Sequence, residues 1–251
     1  SKIFSIEIIP LRFQEKEGRR DLVFCSKNKI KRKVDCKLNP LKMNGLVSWW
    51  RMEGNADDEV GGNDGTISSG GAVNCSIVRG LGKACEFNIN SPPNEDYIEI
   101  LDNESLDITG EISIAFWMNL KDYNSPASTI LDKKSTGNDG YKVYFTNNEG
   151  NKLKVLYGED DIDSLIIPQL STWEYYVITG NSSDFSFYIN SSLKKSVSGS
   201  YSSNSNIELI SIGRDNSNAK YFKGDLDEVM IFNRTLTQPE ITALYEYTLE
   251  N

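Results

Sequence analysis

Short runs of strand-forming residues recur along most of this chain, separated by clusters of turn-forming residues. The runs are rich in Ile, Val, Tyr and Phe, and the clusters between them are rich in Gly, Asn, Ser and Asp. Short strands bounded by turn signals are typical of an all-β sandwich. In residues 112–118, Ile, Phe and Met alternate with Ser, Ala and Trp. Because neither row is clearly polar, we expect both faces of this strand to be covered.

The C-terminal end contains the one good helical pattern of the chain. Thr237 can act as an N-cap, and Glu240, three residues later, can complete a capping box. Ile241, Leu244 and Tyr245 then lie at i, i+3 and i+4, which is one apolar stripe of a short helix. No apolar run approaches the roughly 20 residues that a membrane span requires. The patterns predict an antiparallel two-sheet sandwich with a short C-terminal helix.

The order of the motifs resembles a known family. The segment GDLDEVMIFNRTL (224–236) lies between a strand pattern and the capped helix. The segments GLVSWWRMEGNADDEVGGNDGT (45–66) and GLGKACEFN (80–88) resemble an opening strand with its polar loop and a second strand. Later matching segments are 97–120, 172–180, 187–197 and 210–215. Over about residues 45–247 the chain resembles LamG-like jelly-roll domains of the concanavalin A-like superfamily, which implies a jelly roll and, as a rule, a non-catalytic extracellular module.

Charge divides the chain into two parts. Residues 1–44 hold 12 Lys and Arg against 5 Asp and Glu, whereas residues 45–251 hold 15 against 31. We predict a basic N-terminal β-type extension at residues 1–44, made of a strand (KIFSIEIIPLRF, 2–13) and a disulfide-closed hairpin around the basic turn SKNKIKRKVD (26–35). A LamG-like jelly-roll domain follows at 45–251. Because residues 1–44 are basic and residues 45–251 are acidic, we expect the basic segment to dock on an acidic surface of this chain or of a neighbouring chain. In the alternative, the basic segment is a solvated linker. The acidic body would repel nucleic acid, so we expect no such partner.

The four cysteines indicate a protein outside the cell or on its surface. Four cysteines allow three pairings, and we expect Cys25–Cys36 and Cys75–Cys85, each closing one turn, with four reduced thiols as the alternative. Disulfides belong to oxidising compartments. Ser1 in place of an initiator Met fits either a processed secreted chain or a fragment. Five glycosylation sequons, about as many as the composition alone would give, lie at Asn74, Asn103, Asn181, Asn190 and Asn233.

The loop DDEVGGNDGT (57–66) has a composition that suits calcium. It places several hard oxygen ligands close together, with glycines that permit a tight backbone. The resemblance brings Asp58 and Asp227 to one side of the sandwich, with Asn63 as a third candidate ligand. In the alternative, Asp58 and Asn63 form Asx-turns and Asp227 caps a backbone amide. We therefore expect at most a structural calcium ion, and no zinc, because histidine and Cys-x-x-Cys are both missing.

Enzymatic chemistry is disfavoured. The lack of histidine removes Ser-His-Asp, Cys-His and His-metal schemes. Glycoside hydrolysis needs only two carboxyl groups, which laminarinase-like relatives carry as Glu-x-Asp-x-x-Glu on one strand. The nearest segment here is EDDIDS (159–164), where Ser164 stands in place of the last Glu. We interpret this segment as an acidic loop between two strands and predict that the protein is not an enzyme.

Two functions fit the sequence. The first is a structural or adhesive surface protein that self-assembles through its N-terminal extension, as a filament or surface-layer type subunit, by donating a strand to a sheet edge. The alternative is a carbohydrate- or glycoprotein-binding lectin-like module of a larger surface protein. The expected partners are other copies of the chain, other surface proteins or glycans. Adjacent aromatic pairs, Trp49-Trp50 and Tyr175-Tyr176, must point to opposite faces of a strand, so one of each pair belongs to the core.

Overall fold

Strands make up most of the regular structure. A computed structural model describes residues 15–16, 19–20, 23–27, 34–68, 73–87, 96–123, 127–135, 137–146, 149–217 and 220–249. For those of these residues that precede residue 39, and for residue 127, it describes only the backbone. The N-terminal strands are β1 (Glu15–Lys16), β2 (Arg19–Arg20), β3 (Val23–Lys27) and β4 (Val34–Leu38). The others are β5 (Leu46–Trp50), β6 (Gly65–Ile67), β7 (Asn74–Arg79), β8 (Gly82–Phe87), β9 (Ile98–Ile100), β10 (Ile112–Leu120), β11 (Ala127–Asp132), β12 (Tyr141–Thr146), β13 (Lys152–Tyr157), β14 (Asp160–Asp163), β15 (Trp173–Gly180), β16 (Asp184–Ile189), β17 (Ser192–Ser198), β18 (Ile210–Ile212) and β19 (Gly224–Phe232). Two 3-10 turns at Pro40–Lys42 and Glu104–Leu106 and the helix α1 (Gln238–Leu249) complete the elements.

The strands from β5 onward form two antiparallel sheets. Sheet I has the order β17-β16-β15-β10-β19-β8-β7, and β5 also pairs with β19. Sheet II has the order β14-β13-β12-β11-β18-β9-β6. Neighbours in sequence are not always neighbours in the sheets, as a jelly roll requires. The prediction of an all-β, two-sheet jelly-roll sandwich with a short C-terminal helix is confirmed.

Strand β10 is buried on both faces, as its apolar alternation predicts. Ile114 and Phe116 belong to the core between the sheets, whereas Ala115 and Trp117 belong to a second apolar cluster on the other side of sheet I. Helix α1 covers that second side with Leu244 and its neighbours. Sheet I is thus covered by apolar packing on both faces.

The start of α1 follows the predicted capping box. The backbone N–H of Thr237 donates to Glu240 Oε2 at 2.8 Å, and the Ile241 N–H donates to the Thr237 carbonyl at 3.0 Å. Arg234 adds a two-pronged contact to the Glu240 carboxylate, at 2.9 and 2.8 Å. Among the described residues, no helix combines the length and the apolar character needed to cross a membrane.

Part of the N-terminal extension is visible as backbone. Strands β3 and β4 pair antiparallel and place Cys25 opposite Cys36. The predicted strand at residues 2–13 and the turn at 28–33 lie outside the described residues. The Cys25–Cys36 disulfide and the domain boundary at residue 44 therefore stay predictions.

Candidate functional site

The outward face of sheet II carries polar side chains. In β12, Val143 and Phe145 enter the core, so Lys142 and Tyr144 point outward, because successive side chains alternate. The strand registers place further outward residues beside them. The set, which we call the polar face, consists of Glu99, Thr129, Asp132, Lys142, Tyr144, Lys152, Lys154, Asp161, Asp163 and Ser211. Helix α1 does not cover this face, because it packs on sheet I.

The centre of the polar face is a closed ionic network. Lys142 Nζ lies 3.0 Å from Asp132 Oδ2 and 3.6 Å from Asp215 Oδ2. The Asp132 carboxylate also accepts from the backbone N–H groups of Lys134, at 2.9 Å, and Asn216, at 3.1 Å. Burial raises the pKa of Asp132, although Lys142 opposes this shift. Because Asp132, Asp215 and Lys142 are buried, the centre of the polar face is closed to solvent.

At the margin of the polar face along β13 and β14, the side chains of Asp161, Asp163 and Lys152 are partly exposed, whereas Tyr144 and Lys154 are buried. The Tyr144 hydroxyl donates to Asp161 Oδ1 at 2.9 Å, and Lys154 Nζ donates to Asp161 Oδ2 at 3.1 Å. Lys152 Nζ contacts Asp163 Oδ2 at 3.0 Å. The Asp161 and Asp163 side chains are 43% and 28% exposed. We call these five residues the edge cluster.

Three residues of the edge cluster, Tyr144, Lys154 and Asp163, have shifted pKa values. Burial raises the pKa of Tyr144, and its hydrogen bond to Asp161 raises it further, so the hydroxyl remains a donor. Burial opposes the charge of Lys154, but Glu149 and Asp161 outweigh it and raise its pKa. Burial likewise opposes the charge of Asp163, but the Leu165 N–H and Lys152 hold its pKa below the usual range. Asp163 is therefore held as an acceptor, and Tyr144 and Lys154 are held as donors.

Two exposed apolar side chains follow β14 in the chain. Leu165 and Ile167 are 58% and 57% exposed, while Ile166 between them packs against the core. Leu165 has a φ of 60°, in the left-handed region that few non-glycine residues adopt. Its N–H donates to Asp163 Oδ1 at 2.7 Å, which ties Leu165 to the Asp163 carboxylate.

The interpretation of residues 159–164 as a loop is wrong. Asp160–Asp163 is the edge strand β14, paired with β13, and the strand period puts Asp161 and Asp163 on one face. Ser164, at the place of the last Glu in the glucanase pattern, is buried, and its hydroxyl donates to the Leu153 carbonyl at 2.6 Å. The segment looked like a loop because three of its four strand residues are acidic.

The predicted calcium ligands in the 57–66 loop have protein partners. Asp58 Oδ1 accepts from the N–H groups of Trp49, at 2.8 Å, and Val60, at 3.1 Å, and Oδ2 accepts from Asn63 N–H at 3.3 Å. The Asn63 side-chain amide donates to the Ser48 hydroxyl at 2.8 Å. In the part of the chain that the structure describes, no three Asp, Glu, Cys or His side chains form a metal-binding group. Calcium binding stays a prediction.

The third predicted ligand, Asp227, lies in a buried acid pair under α1. Its carboxylate pairs with buried Arg79 and accepts from the Glu228 N–H at 2.9 Å. Glu228 accepts from the Trp49 indole N–H. Burial raises the pKa of Asp227 to about 7, although Arg79 opposes it, and burial together with the Asp227 charge raises the pKa of Glu228 to about 8. Sequence reasoning missed Glu228, and the available signal was two consecutive acids inside an apolar strand.

The remaining predicted sites are distributed over the surface and one hairpin. A disulfide joins Cys75 to Cys85 across the β7–β8 hairpin. Among the sequons, Asn74, Asn103 and Asn233 are exposed, whereas Asn181 and Asn190 are half-buried. The Asn190 side-chain oxygen also accepts from Tyr175 N–H at 2.9 Å. Glycosylation of the five asparagines stays a prediction.

The adjacent aromatic pairs straddle sheet I as predicted. Trp50 and Tyr176 face the core between the sheets, and Trp49 and Tyr175 face the cluster under α1. All four are buried. These pairs therefore provide no exposed sugar platform.

Comparisons with known proteins agree with this architecture. The family model of the concanavalin A-like lectin/glucanases superfamily, of laminin G type, matches residues 92–242. The chain belongs to this superfamily. The LamG-like resemblance of the sequence motifs is thereby confirmed. No curated protein matches the sequence.

Solved structures with a similar fold include one domain of an extracellular enzyme and the binding domains of two toxins. This concanavalin A-like chain is similar to domain 4 of AbnA, a GH43 extracellular arabinanase from Geobacillus stearothermophilus, in complex with arabinotriose, with 19% identity and a TM-score of 0.64 over 80% of this chain and 98% of that one. It is similar to the binding domain of Paraclostridial Mosquitocidal Protein 1 (20% identity, TM-score 0.63, 81% of this chain and 52% of that one). A third similar structure is the binding domain of Botulinum neurotoxin DC in complex with rat synaptotagmin II (17% identity, TM-score 0.64, 82% of this chain and 52% of that one). The chain spans about half the length of the two toxin domains, and at these identities the likeness shows the fold alone.

Proposed function

We propose that this domain is a carbohydrate-binding module of an extracellular or cell-surface protein, and that its sugar-contact surface is the edge cluster with Leu165 and Ile167. The observation that carries the proposal is that the partly exposed Asp161 and Asp163 of β14 are followed directly in the chain by the exposed Leu165 and Ile167. The Leu165 N–H donates to Asp163 Oδ1, which fixes this order of polar and apolar side chains. A sugar presents hydroxyl groups around its rim and C–H groups on its ring faces. A site for it needs polar groups at fixed positions beside apolar area.

The ionisation of the edge cluster favours binding over hydrolysis. A glycosidase needs one carboxyl group whose raised pKa keeps it protonated as the general acid. The pKa of Asp163 is lowered, and Asp161 accepts from both Tyr144 and Lys154. These carboxylates are suited to accept hydrogen bonds from sugar hydroxyl groups. The edge cluster is therefore better suited to binding a sugar than to hydrolysing it.

The relatives and the disulfide support this proposal. The AbnA domain is in complex with arabinotriose, and both toxin relatives are binding domains. The Cys75–Cys85 disulfide suits an oxidising compartment. Neutral oligosaccharides such as arabinose oligomers are therefore the first ligands to test.

Self-assembly through the N-terminal extension is a second candidate. Strand β7 ends one edge of sheet I and exposes Asn74, Ser76 and Val78, so an added strand can pair there. Light scattering and electron microscopy of the full chain against residues 43–251 test this candidate. Polymers that disappear on truncation support it, and monodisperse monomers in both samples exclude it.

The carbohydrate proposal is tested by an oligosaccharide array followed by calorimetry. A hydrogen bond to a charged group is worth about 1.5–3 kcal/mol, so Asp161→Ala should weaken the binding of a sugar about tenfold or more. Asp184→Ala is the matched control, since Asp184 is an exposed aspartate on β16 of sheet I. Equal affinities for the two variants, or no sugar bound by the wild type, would contradict the proposal.

A further inference from the structure

Lys133 is a buried lysine at the end of β11 whose ammonium lies in a cage of oxygens. Its side chain is only 1% exposed. The Nζ atom lies 2.8 Å from Asp102 Oδ1, 3.1 Å from Asp107 Oδ1, 3.3 Å from Asn206 Oδ1 and 2.8 Å from the Glu208 carbonyl oxygen. We call these four oxygens, with their residues, the Lys133 cage.

The Lys133 cage has the character of a metal-ion site. An ammonium group carries three N–H bonds, yet four oxygens surround this one, as around a spherical cation. Two carboxylates, one side-chain amide and one backbone carbonyl are the hard oxygen donors that calcium sites use. Asp107 Oδ1 is buried and makes no hydrogen bond, so its contact with Nζ is electrostatic.

The Lys133 cage joins three separate parts of the chain. Asp102 and Asp107 flank the 3-10 turn Glu104–Leu106 after β9, and Asn206 and Glu208 precede β18. The Asn206 amide also donates to the Lys133 carbonyl at 2.9 Å. A cation at this point therefore fixes two loops to the end of β11.

We propose that the Lys133 ammonium fills a divalent-cation site, so that this chain supplies its own cation where the same oxygens would otherwise hold Ca²⁺. The two carboxylates give the cage a charge of −2, of which the ammonium compensates one unit. Without the ammonium, a divalent cation matches the cage. Calcium–oxygen distances are about 2.3–2.6 Å, so the cage must contract by roughly half an ångström around the ion, and water completes the coordination.

The test removes the ammonium and supplies the metal. Lys133→Ala should bind one Ca²⁺ more than the wild type in calorimetry, with a Kd on the order of 0.1–1 mM, as in weak extracellular calcium sites. At 10 mM Ca²⁺ its Tm should rise by about 3–10 °C more than that of the wild type. The matched control is Lys133→Ala with Asp107→Asn, which keeps the cavity and removes one charged ligand.

Each outcome of this calcium experiment either supports the proposal or overturns it. Loss of the added calcium response in the double variant supports the proposal. A response of Lys133→Ala equal to that of the wild type, or an added response that survives Asp107→Asn, overturns it. If Lys133→Ala does not fold without metal, its refolding yield is measured against Ca²⁺ concentration. Recovery of folded protein with Ca²⁺ supports the proposal, and no recovery at any concentration overturns it.

Discussion

Asp227 and Glu228 are consecutive in β19, yet both carboxylates bind partners on the side of sheet I that α1 covers. The register explains this, because Trp117 pairs with Asp227 while Ala115 pairs with Met230, which leaves a β-bulge at Glu228. Glu228 has a φ of 52° there. A bulge of this kind re-aims a side chain that strand alternation would send to the opposite face.

The buried acid pair should make stability depend on pH. Glu228 has a folded pKa of about 8, above its ordinary value of 4.5. The folded protein then keeps a proton that the unfolded chain releases, so the free energy of unfolding falls as pH rises from about 4.5 to about 8 and levels off above that. Glu228→Gln should reduce this fall in urea unfolding, and the part that remains belongs to Asp227, whose pKa is also raised. Glu246→Gln, at an exposed position of α1, should leave it unchanged, and a wild-type stability that rises over this interval would contradict the assignment.

Gly140 should not tolerate a side chain. Its φ is 60°, and an added Cβ would lie 1.9 Å from the Lys133 carbonyl oxygen. Gly140→Ala should lower the free energy of unfolding by about 2–3 kcal/mol, because the backbone must move as well as adopt a strained conformation. Gly150→Ala is the control, with a φ of 84° and open space around its Cβ. Equal losses in the two variants would show that the close approach at Gly140 is unimportant.

The β7–β8 hairpin should depend on its disulfide. The bond joins residues 10 positions apart, and closing a loop of that length is worth about 2–3 kcal/mol in the chain-entropy model. The double variant Cys75→Ala/Cys85→Ala should lower the free energy of unfolding by that amount.

The pairing of all four cysteines is tested by peptide mapping under non-reducing conditions. We predict that it finds Cys25 linked to Cys36 as well as Cys75 linked to Cys85. Free thiols at all four positions would contradict the pairing and the extracellular assignment.

Asp58 should stabilise its loop even without metal. Its carboxylate accepts three backbone N–H bonds, so Asp58→Ala should lower the free energy of unfolding by about 2–3 kcal/mol in the presence of a chelator. An unchanged Tm in chelator would rule out this turn role. The calcium prediction is tested separately, by comparing melting curves in Ca²⁺ and in chelator. A rise in the wild-type Tm with Ca²⁺ that Asp58→Ala or Asp227→Ala abolishes supports calcium binding. Identical wild-type curves in Ca²⁺ and chelator leave the Asx-turn as the only role of Asp58.

Local patterns predicted much of the fold. Three predictions rest on short-range rules of strand or helix geometry, and the structure agrees with them. They are the alternation in β10, the contact between Thr237 and Glu240 at the start of α1, and the opposite facing of the adjacent aromatic pairs. The candidate ligand-binding surface was harder to predict from the sequence. Residues 159–164 are mostly acidic, and their strand character comes from pairing with β13, which no local pattern encodes. Lys133 meets oxygens from segments far away in the sequence, and the bulge at Glu228 depends on the register of β10.

The most direct measurement of the central claim is an NMR titration with the oligosaccharide that binds best on the array. If the edge cluster with Leu165 and Ile167 contacts the sugar, the amide shifts of residues 152–167 should change at low ligand concentration, while those of β16 and β17 stay fixed. Asp161→Ala should remove these changes, and Asp184→Ala should keep them. Shift changes confined to sheet I, or unaffected by Asp161→Ala, would contradict carbohydrate binding at this margin of sheet II.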